Sequence, residues 1–145
     1  MKHITPFRVA AALLLLFCAA HTGGGMLSQE SLGPASDAVF EQMQSVHFAF
    51  NGSDCTWYGF WFGFGMMFSG FLLFSALVAW QLDRVPPVAW PAVSVIAWAL
   101  IAVHAVTTFL SWRYFFIGPA VFGVLITALL TWGTIRMPSR GAEPR

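Results

Sequence analysis

Four apolar segments alternate with shorter polar stretches along the chain. They cover residues 8–27, 57–80, 88–111 and 114–135. A helix needs about 20 apolar residues to cross the hydrocarbon core of a bilayer. Because backbone amides in hydrocarbon must be paired inside the protein, helices are the favoured spanning form. The pattern therefore predicts an all-α integral membrane protein whose four helices form a four-helix bundle and a single membrane domain, residues 1–145.

The longest polar stretch, residues 28–56, separates the first two apolar segments. Within it, apolar residues recur at helical spacing: Val39, Met43, Val46 and Phe50. Ser36 is a suitable N-cap for such a helix. We therefore expect a short amphipathic helix over about 36–49, lying on the outer surface of the membrane or of the bundle. The following "NGSD" is expected to turn the chain into the second spanning helix.

Composition supports a membrane location. Hydrophobic residues make up 58% of the chain, charged residues only 9%, and the mean hydropathy is +0.72. Soluble domains carry about 25% charged residues, which cover their surface. The net charge of +1 does not indicate a nucleic-acid partner. The expected partners are membrane lipids, with a second copy or another membrane protein as a further possibility.

The distribution of positive charge predicts the orientation. Six basic residues lie in the two tails and in the 81–87 loop: Lys2, Arg8, Arg84, Arg136, Arg140 and Arg145. The loops on the opposite side hold only Arg113. Since basic residues concentrate in cytoplasmic loops, we expect a multi-pass protein of the bacterial inner membrane with both termini in the cytoplasm.

The first apolar segment has an alternative interpretation. "MKHITPFR" followed by an apolar run and "CAA" resembles a signal peptide that is cleaved after Ala20. An uncleaved helix explains the polar and glycine-rich ending "HTGGG" better, because those residues would have no role in a discarded leader. Retention of residues 1–20 is therefore the preferred interpretation, with cleavage left open.

The second apolar segment combines glycine with aromatic residues, as in "YGFWFGFGMMFSG". On a helical wheel its small residues form two narrow faces, one of Gly59, Gly63 and Gly70, the other of Gly65, Ser69 and Ala76. Small residues let two transmembrane helices approach closely. Both faces, and Gly123 within a small-residue stripe of the fourth segment, are therefore predicted helix-packing positions. Aromatic residues on the remaining side are expected to meet lipid or a ligand.

Two histidines lie inside the apolar segments at similar depth, His21 and His104. Three interpretations stay open. The imidazoles hold helices together by bonding to carbonyl or hydroxyl groups; or they line an outward-facing pocket for a small ligand or lipid; or they ligate a b-type haem or a metal across the bundle. The candidate pocket residues are His21, Gly24, His47, Trp57, Tyr58, Trp61, His104 and Thr108. No cofactor is otherwise expected.

Several function classes find no support in the chain. No Asp, Glu, Lys or Arg lies deep in an apolar segment, as an ion-coupled carrier would require. The two cysteines, Cys18 and Cys55, form no CxxC pair, and no metal-ligand cluster or local nucleophile motif is present. The sequence therefore does not indicate an enzyme.

The chain resembles a group of small bacterial four-helix integral membrane proteins to which no activity is assigned. The resemblance rests on "HTGGG" at the end of the first helix, on "YGFWFGFGMMFSGFLLFSALVAWQL", and on "RYFFIGPAVFGVLITALL", and spans residues 8–135. It implies a shared fold with an HT-G element (His21, Thr22, Gly23, Gly24) and an FGFG element (residues 62–65). Ligand or lipid binding is the leading functional hypothesis. An assembly subunit and a haem-binding redox subunit are the alternatives.

Overall fold

The computed structural model describes residues 4–28 and 30–137. It confirms the all-α class and contains helices long and apolar enough to span a membrane. The α-helices are α1 (Pro6–Ala20), α2 (Pro34–Ser45), α3 (Trp57–Leu82), α4 (Trp90–Tyr114) and α5 (Ile117–Arg136). All except α2 belong to candidate membrane spans. The basic residues Lys2, Arg140 and Arg145 lie outside the described residues.

The ends of the first span follow from its sequence. Thr5 caps α1, because its hydroxyl accepts a hydrogen bond from the Arg8 amide at 3.3 Å, and Pro6 occupies the first helical position, where no amide is needed. Beyond Ala20 the helix widens into a π-helix, His21–Leu27, which contains three consecutive glycines. The π-helix extends the first candidate span to Leu27.

The chain folds into two compact units. The first unit comprises the described parts of Met1–Phe17 and Leu72–Arg145, and the second unit comprises those of Cys18–Phe71. Each unit is described by itself. The single membrane domain stays a prediction.

The core of the first unit is built from helix faces with residues spaced three or four apart. Its largest fully buried side chains are Phe7, Leu14, Leu72, Ile126, Leu130, Met137 and Ser75. The Phe7 ring packs against Gly133, where an added Cβ would lie 3.0 Å from the ring, and 6.0 Å from the Trp90 ring. Cleavage after Ala20 would remove Phe7 and Leu14 from this core.

The second unit corrects the predicted outer helix. Helix α2 begins at Pro34, not near residue 36, and ends at Ser45, not at residue 49. The next residues form a strand, β1 (His47–Phe50), which pairs with β2 (Ser53–Thr56) in an antiparallel hairpin. The predicted helical spacing thus holds only as far as Ser45.

The physical reason for the hairpin is its turn. Asn51 and Gly52 link the two strands, and both have positive φ values, 50° and 81°. Asn-Gly is the preferred sequence for this two-residue turn, because its twist matches that of the strands. The aromatic residues Phe48 and Phe50 before the turn also favour a strand over a helix. The "NG" pair was therefore the available sequence signal for the hairpin.

We expect Gly52→Ala to lower the free energy of unfolding by about 1 kcal/mol, because a side chain is strained at this positive φ. Thermal unfolding in detergent would measure the change. Gly63→Ala is the matched control, since a Cβ at Gly63 meets no described atom within 4 Å. Equal stability of wild type and Gly52→Ala would contradict the assigned turn.

Candidate functional site

A polar seam connects the end of the first span to α3 within the second unit. His21 Nε2 lies 3.0 Å from the Gly65 carbonyl oxygen. Since a carbonyl oxygen only accepts, Nε2 is the donor. The Thr22 hydroxyl donates to the Ser69 hydroxyl at 2.8 Å, and the Cys18 thiol donates to the Ser69 carbonyl at 3.4 Å. The HT-G element therefore contacts the last glycine of the FGFG element.

Close packing accompanies this seam. A Cβ added at Gly65 would overlap the thioether of Met26, a side chain of the π-helix that is 7% exposed. Ser69 and Ala76, predicted on the same face of α3, are also buried. Gly65 thus lies at a close contact with the end of the first span, and the His21 imidazole bonds across that contact. Haem ligation through its Nε2 would require the bond to Gly65 to break.

The other glycine face of α3 behaves differently. Gly59, Gly63 and Gly70 are all exposed. Among the described residues, a Cβ at Gly63 or Gly70 would meet nothing within 4 Å, and one at Gly59 would meet only the Thr56 hydroxyl, at 3.2 Å. Within the described part of the second unit no helix covers this face, so the helix packing predicted for it stays a prediction.

His104 and Thr108 belong to the first unit. His104 is 3% exposed, and its carbonyl accepts hydrogen bonds from the Thr107 and Thr108 hydroxyls at 3.0 and 2.6 Å. Thr108 also contacts α5, because a Cβ at Gly123 would lie 3.2 Å from the Thr108 Cα. Gly123 thus lies where α4 and α5 approach each other closely.

The remaining predicted pocket residues lie in the second unit, mostly in an aromatic cluster. Trp57 packs on Phe48 of the hairpin at 4.9 Å, Tyr58 packs on Trp61 at 5.6 Å, and Trp61 meets Phe40 of α2 edge-on at 5.5 Å. These rings fasten α2 and the hairpin to the first turns of α3. Each of these three side chains is in contact with a neighbouring ring.

His47 and Gly24 are separate from that cluster. His47 Nδ1 lies 2.8 Å from a carboxylate oxygen of Asp54 across the hairpin, with both side chains largely exposed. Gly24 is exposed in the π-helix, and a Cβ there would meet no described atom within 4 Å. Neither position makes a contact that identifies a ligand.

An open groove runs between α4 and α5 on the surface of the first unit. It consists of two adjoining depressions of about 660 and 510 Å³ that share Ala105, Thr108 and Val124. Together they extend from Ile117 to Ile135, and small residues occupy the middle: Ala105, Thr108, Ala120, Thr127, Ala128 and Thr131. We call this surface the α4–α5 groove. It includes Thr108 but none of the other predicted pocket residues.

A charged cluster in the first unit was not predicted. Arg8 Nε donates to Asp83 Oδ2 at 2.6 Å, and the Asp83 side chain is only 3% exposed. The guanidinium groups of Arg8 and Arg84 both lie over the Trp80 ring, at 5.8 and 5.4 Å from its centroid. The charged cluster is thus Arg8, Trp80, Asp83 and Arg84. The sequence did contain a signal for this cluster: Arg8 and the segment "QLDR" both lie at the same predicted boundary of the membrane.

Comparison with protein-family models, with curated proteins and with solved structures gives no match for this chain. The resemblance to small four-helix membrane proteins therefore stays a prediction. Among the described residues, no three His, Cys, Asp or Glu side chains form a group that could hold a metal ion.

The ion pair between the partly exposed Arg8 and the buried Asp83 predicts an asymmetry between two substitutions. Arg8→Gln leaves the Asp83 carboxylate buried without its partner, and we expect it to cost about 3 kcal/mol of unfolding free energy. Asp83→Asn removes that buried charge, so its cost should be smaller. The double variant should be more stable than Arg8→Gln alone. Thermal unfolding in detergent tests this order, and a greater loss in Asp83→Asn would contradict the assigned pair.

Proposed function

We propose that this membrane protein is a self-associating structural subunit, in which the α4–α5 groove packs against the same groove of a second copy. The observation that carries the proposal is the row of small and hydroxyl-bearing residues along an open, span-length groove. Such residues are enriched where transmembrane helices meet, because they let the helices approach closely.

The length of the groove supports a helix as its occupant. From Ile117 to Ile135 the α5 axis rises about 27 Å at 1.5 Å per residue, close to the roughly 30 Å thickness of the hydrocarbon core. A lipid tail extends through only one leaflet, about half that distance. A helix that crosses the membrane beside α5 would contact the groove along its whole length.

The hydroxyl groups of the groove also favour a protein partner. The Thr131 hydroxyl donates to the Thr127 carbonyl at 2.8 Å, and its oxygen can still accept a hydrogen bond. A facing helix can bring a hydroxyl donor, which lipid tails lack. A symmetric dimer is the commonest assembly and would place Thr131 near its own copy.

Binding of a lipid or a small ligand is the second candidate function. It is favoured by the apolar residues at both ends of the groove, including Trp112 and Trp132. The outward-facing pocket between helices that the sequence suggested remains part of this candidate. A haem-binding role would need a visible absorption band that is lost in His21→Ala or His104→Ala.

The proposed location is the bacterial inner membrane, with both termini in the cytoplasm. It is supported by the position of Arg8 and Arg84 in the charged cluster, since the positive-inside rule places such residues on the cytoplasmic side. The α2 helix and the hairpin, which contain no Lys or Arg, would then face the periplasm. The shared fold implied by the resemblance is compatible with this orientation.

Ala128→Leu tests the proposed dimer. Ala128 is exposed in the groove, so a larger side chain should leave the monomer folded but obstruct the second copy. We expect the dimer affinity to fall about tenfold or more, since overpacking costs roughly 1–3 kcal/mol. Native mass spectrometry in mild detergent would measure the monomer and dimer populations.

Ala99→Leu provides the matched control. Ala99 is also exposed, lies on α4, and does not line the groove. Its dimer population should equal that of wild type. The dimer would be contradicted if the wild-type protein were monomeric. If that monomer also retained one lipid, and Ala128→Leu lost it, the lipid-binding candidate would be supported instead.

A further inference from the structure

The charged cluster shares no residue with the α4–α5 groove. Two guanidinium groups approach one indole ring, Trp80, within the distance at which cations are attracted to aromatic faces. We propose that this cluster binds the phosphate of an anionic phospholipid headgroup.

The charge balance of the cluster favours an anion. Arg8 and Arg84 contribute two positive charges, and Asp83 contributes one negative charge that is bonded to Arg8. Arg84 makes no ion pair with any residue in 4–28 or 30–137. The net charge of +1 is the complement of a headgroup such as phosphatidylglycerol, whose phosphodiester carries one negative charge with no cation of its own to balance it.

The location of the cluster matches the headgroup layer. At 26 residues, α3 is about 39 Å long, whereas the hydrocarbon core is about 30 Å thick. The end of α3 that carries Trp80 therefore reaches the polar region of the bilayer. Tryptophan is favoured at that depth, and α1 begins beside it, at Pro6, with amides that also favour negative charge.

The exposed apolar side chains of α3 lead towards Arg84, in the order in which the tails of a phospholipid lead to its phosphate. Leu73, Leu77 and Trp80 succeed one another on α3 at spacings of four and three residues, and Arg84, in the turn after α3, lies over the Trp80 ring. Leu73, Leu77 and Trp80 are 47%, 58% and 43% exposed. Lipid tails can thus lie on the two leucines, while the phosphate reaches Arg84. This apolar continuation favours a lipid over free phosphate.

Each member of the cluster has a separate role in this site. Arg84 would contact the phosphate through its planar fork of N–H donors, which fits two oxygens at once. Trp80 holds that fork in place by stacking. Arg8 uses one of its five N–H donors on Asp83, so Asp83 positions a second guanidinium beside the site.

Arg84→Gln tests the site in the full-length protein. Native mass spectrometry would follow binding of phosphatidylglycerol and of zwitterionic phosphatidylcholine, each titrated into delipidated protein in mild detergent. Wild type should bind phosphatidylglycerol more tightly than phosphatidylcholine. Arg84→Gln should weaken phosphatidylglycerol binding about tenfold, as expected for the loss of one charged hydrogen-bonded pair. Arg84 is exposed, so the fold should be retained.

Arg136→Gln is the matched control. Arg136 also stacks on a tryptophan, Trp132, at 4.7 Å and at the end of an apolar helix, but the charged cluster does not include it. Its phosphatidylglycerol affinity should equal that of wild type. Equal losses in the two variants, or no preference of wild type for phosphatidylglycerol, would overturn the proposal. Complete displacement of the lipid by millimolar inorganic phosphate would also overturn it, in favour of a free-phosphate site.

Discussion

Backbone polar groups that lie in hydrocarbon have no water to bond to, so they must find partners within the protein. This constraint accounts for the helical form of the four spans, and several polar side chains inside them are paired as well. Thr108 and Thr131 bond to carbonyl groups of their own helices at 2.6 and 2.8 Å. His21 reaches the Gly65 carbonyl of α3. These side chains form hydrogen bonds within one helix or between two segments, and they introduce no charge into the apolar segments.

The same constraint gives glycine two different roles in this chain. Glycine is costly in a helix in water, partly because it exposes the backbone to solvent. In these spans it permits close contact at Gly65 and Gly123, where Met26 and Thr108 fill the space that a side chain would need. At Gly63 and Gly70 the space remains open within the described chain. Glycine thus occurs both where two segments are in close contact and where the helix surface is uncovered.

The sequence predicted the spans well because hydropathy depends only on local composition. The predicted segment 57–80 corresponds to Trp57–Leu82, and 114–135 corresponds to Ile117–Arg136. The hairpin was missed because Val46 and Phe50 continue a helical spacing into a segment whose turn is set by Asn51 and Gly52. There the local turn geometry overrode the periodic pattern.

The contacts of the candidate sites were less predictable, because they join residues far apart in the chain. Arg8 and Asp83 are 75 positions apart, and neither lies in a recognisable motif. A helical wheel identified both glycine faces of α3 but could not show which face a neighbour covers. Gly65 and Gly63 differ only in what lies opposite them, which is a property of the fold and not of local sequence.

The two native thiols test the central claim, that hydrocarbon surrounds the spans. Cys18 lies in α1 and bonds to the Ser69 carbonyl, whereas Cys55 lies in the hairpin after α2. A membrane-impermeant maleimide applied to intact spheroplasts, followed by intact-mass measurement of the purified protein, counts the labelled thiols. The account predicts one label, on Cys55, and two after denaturation in detergent. Labelling of Cys18 in the intact membrane would contradict it.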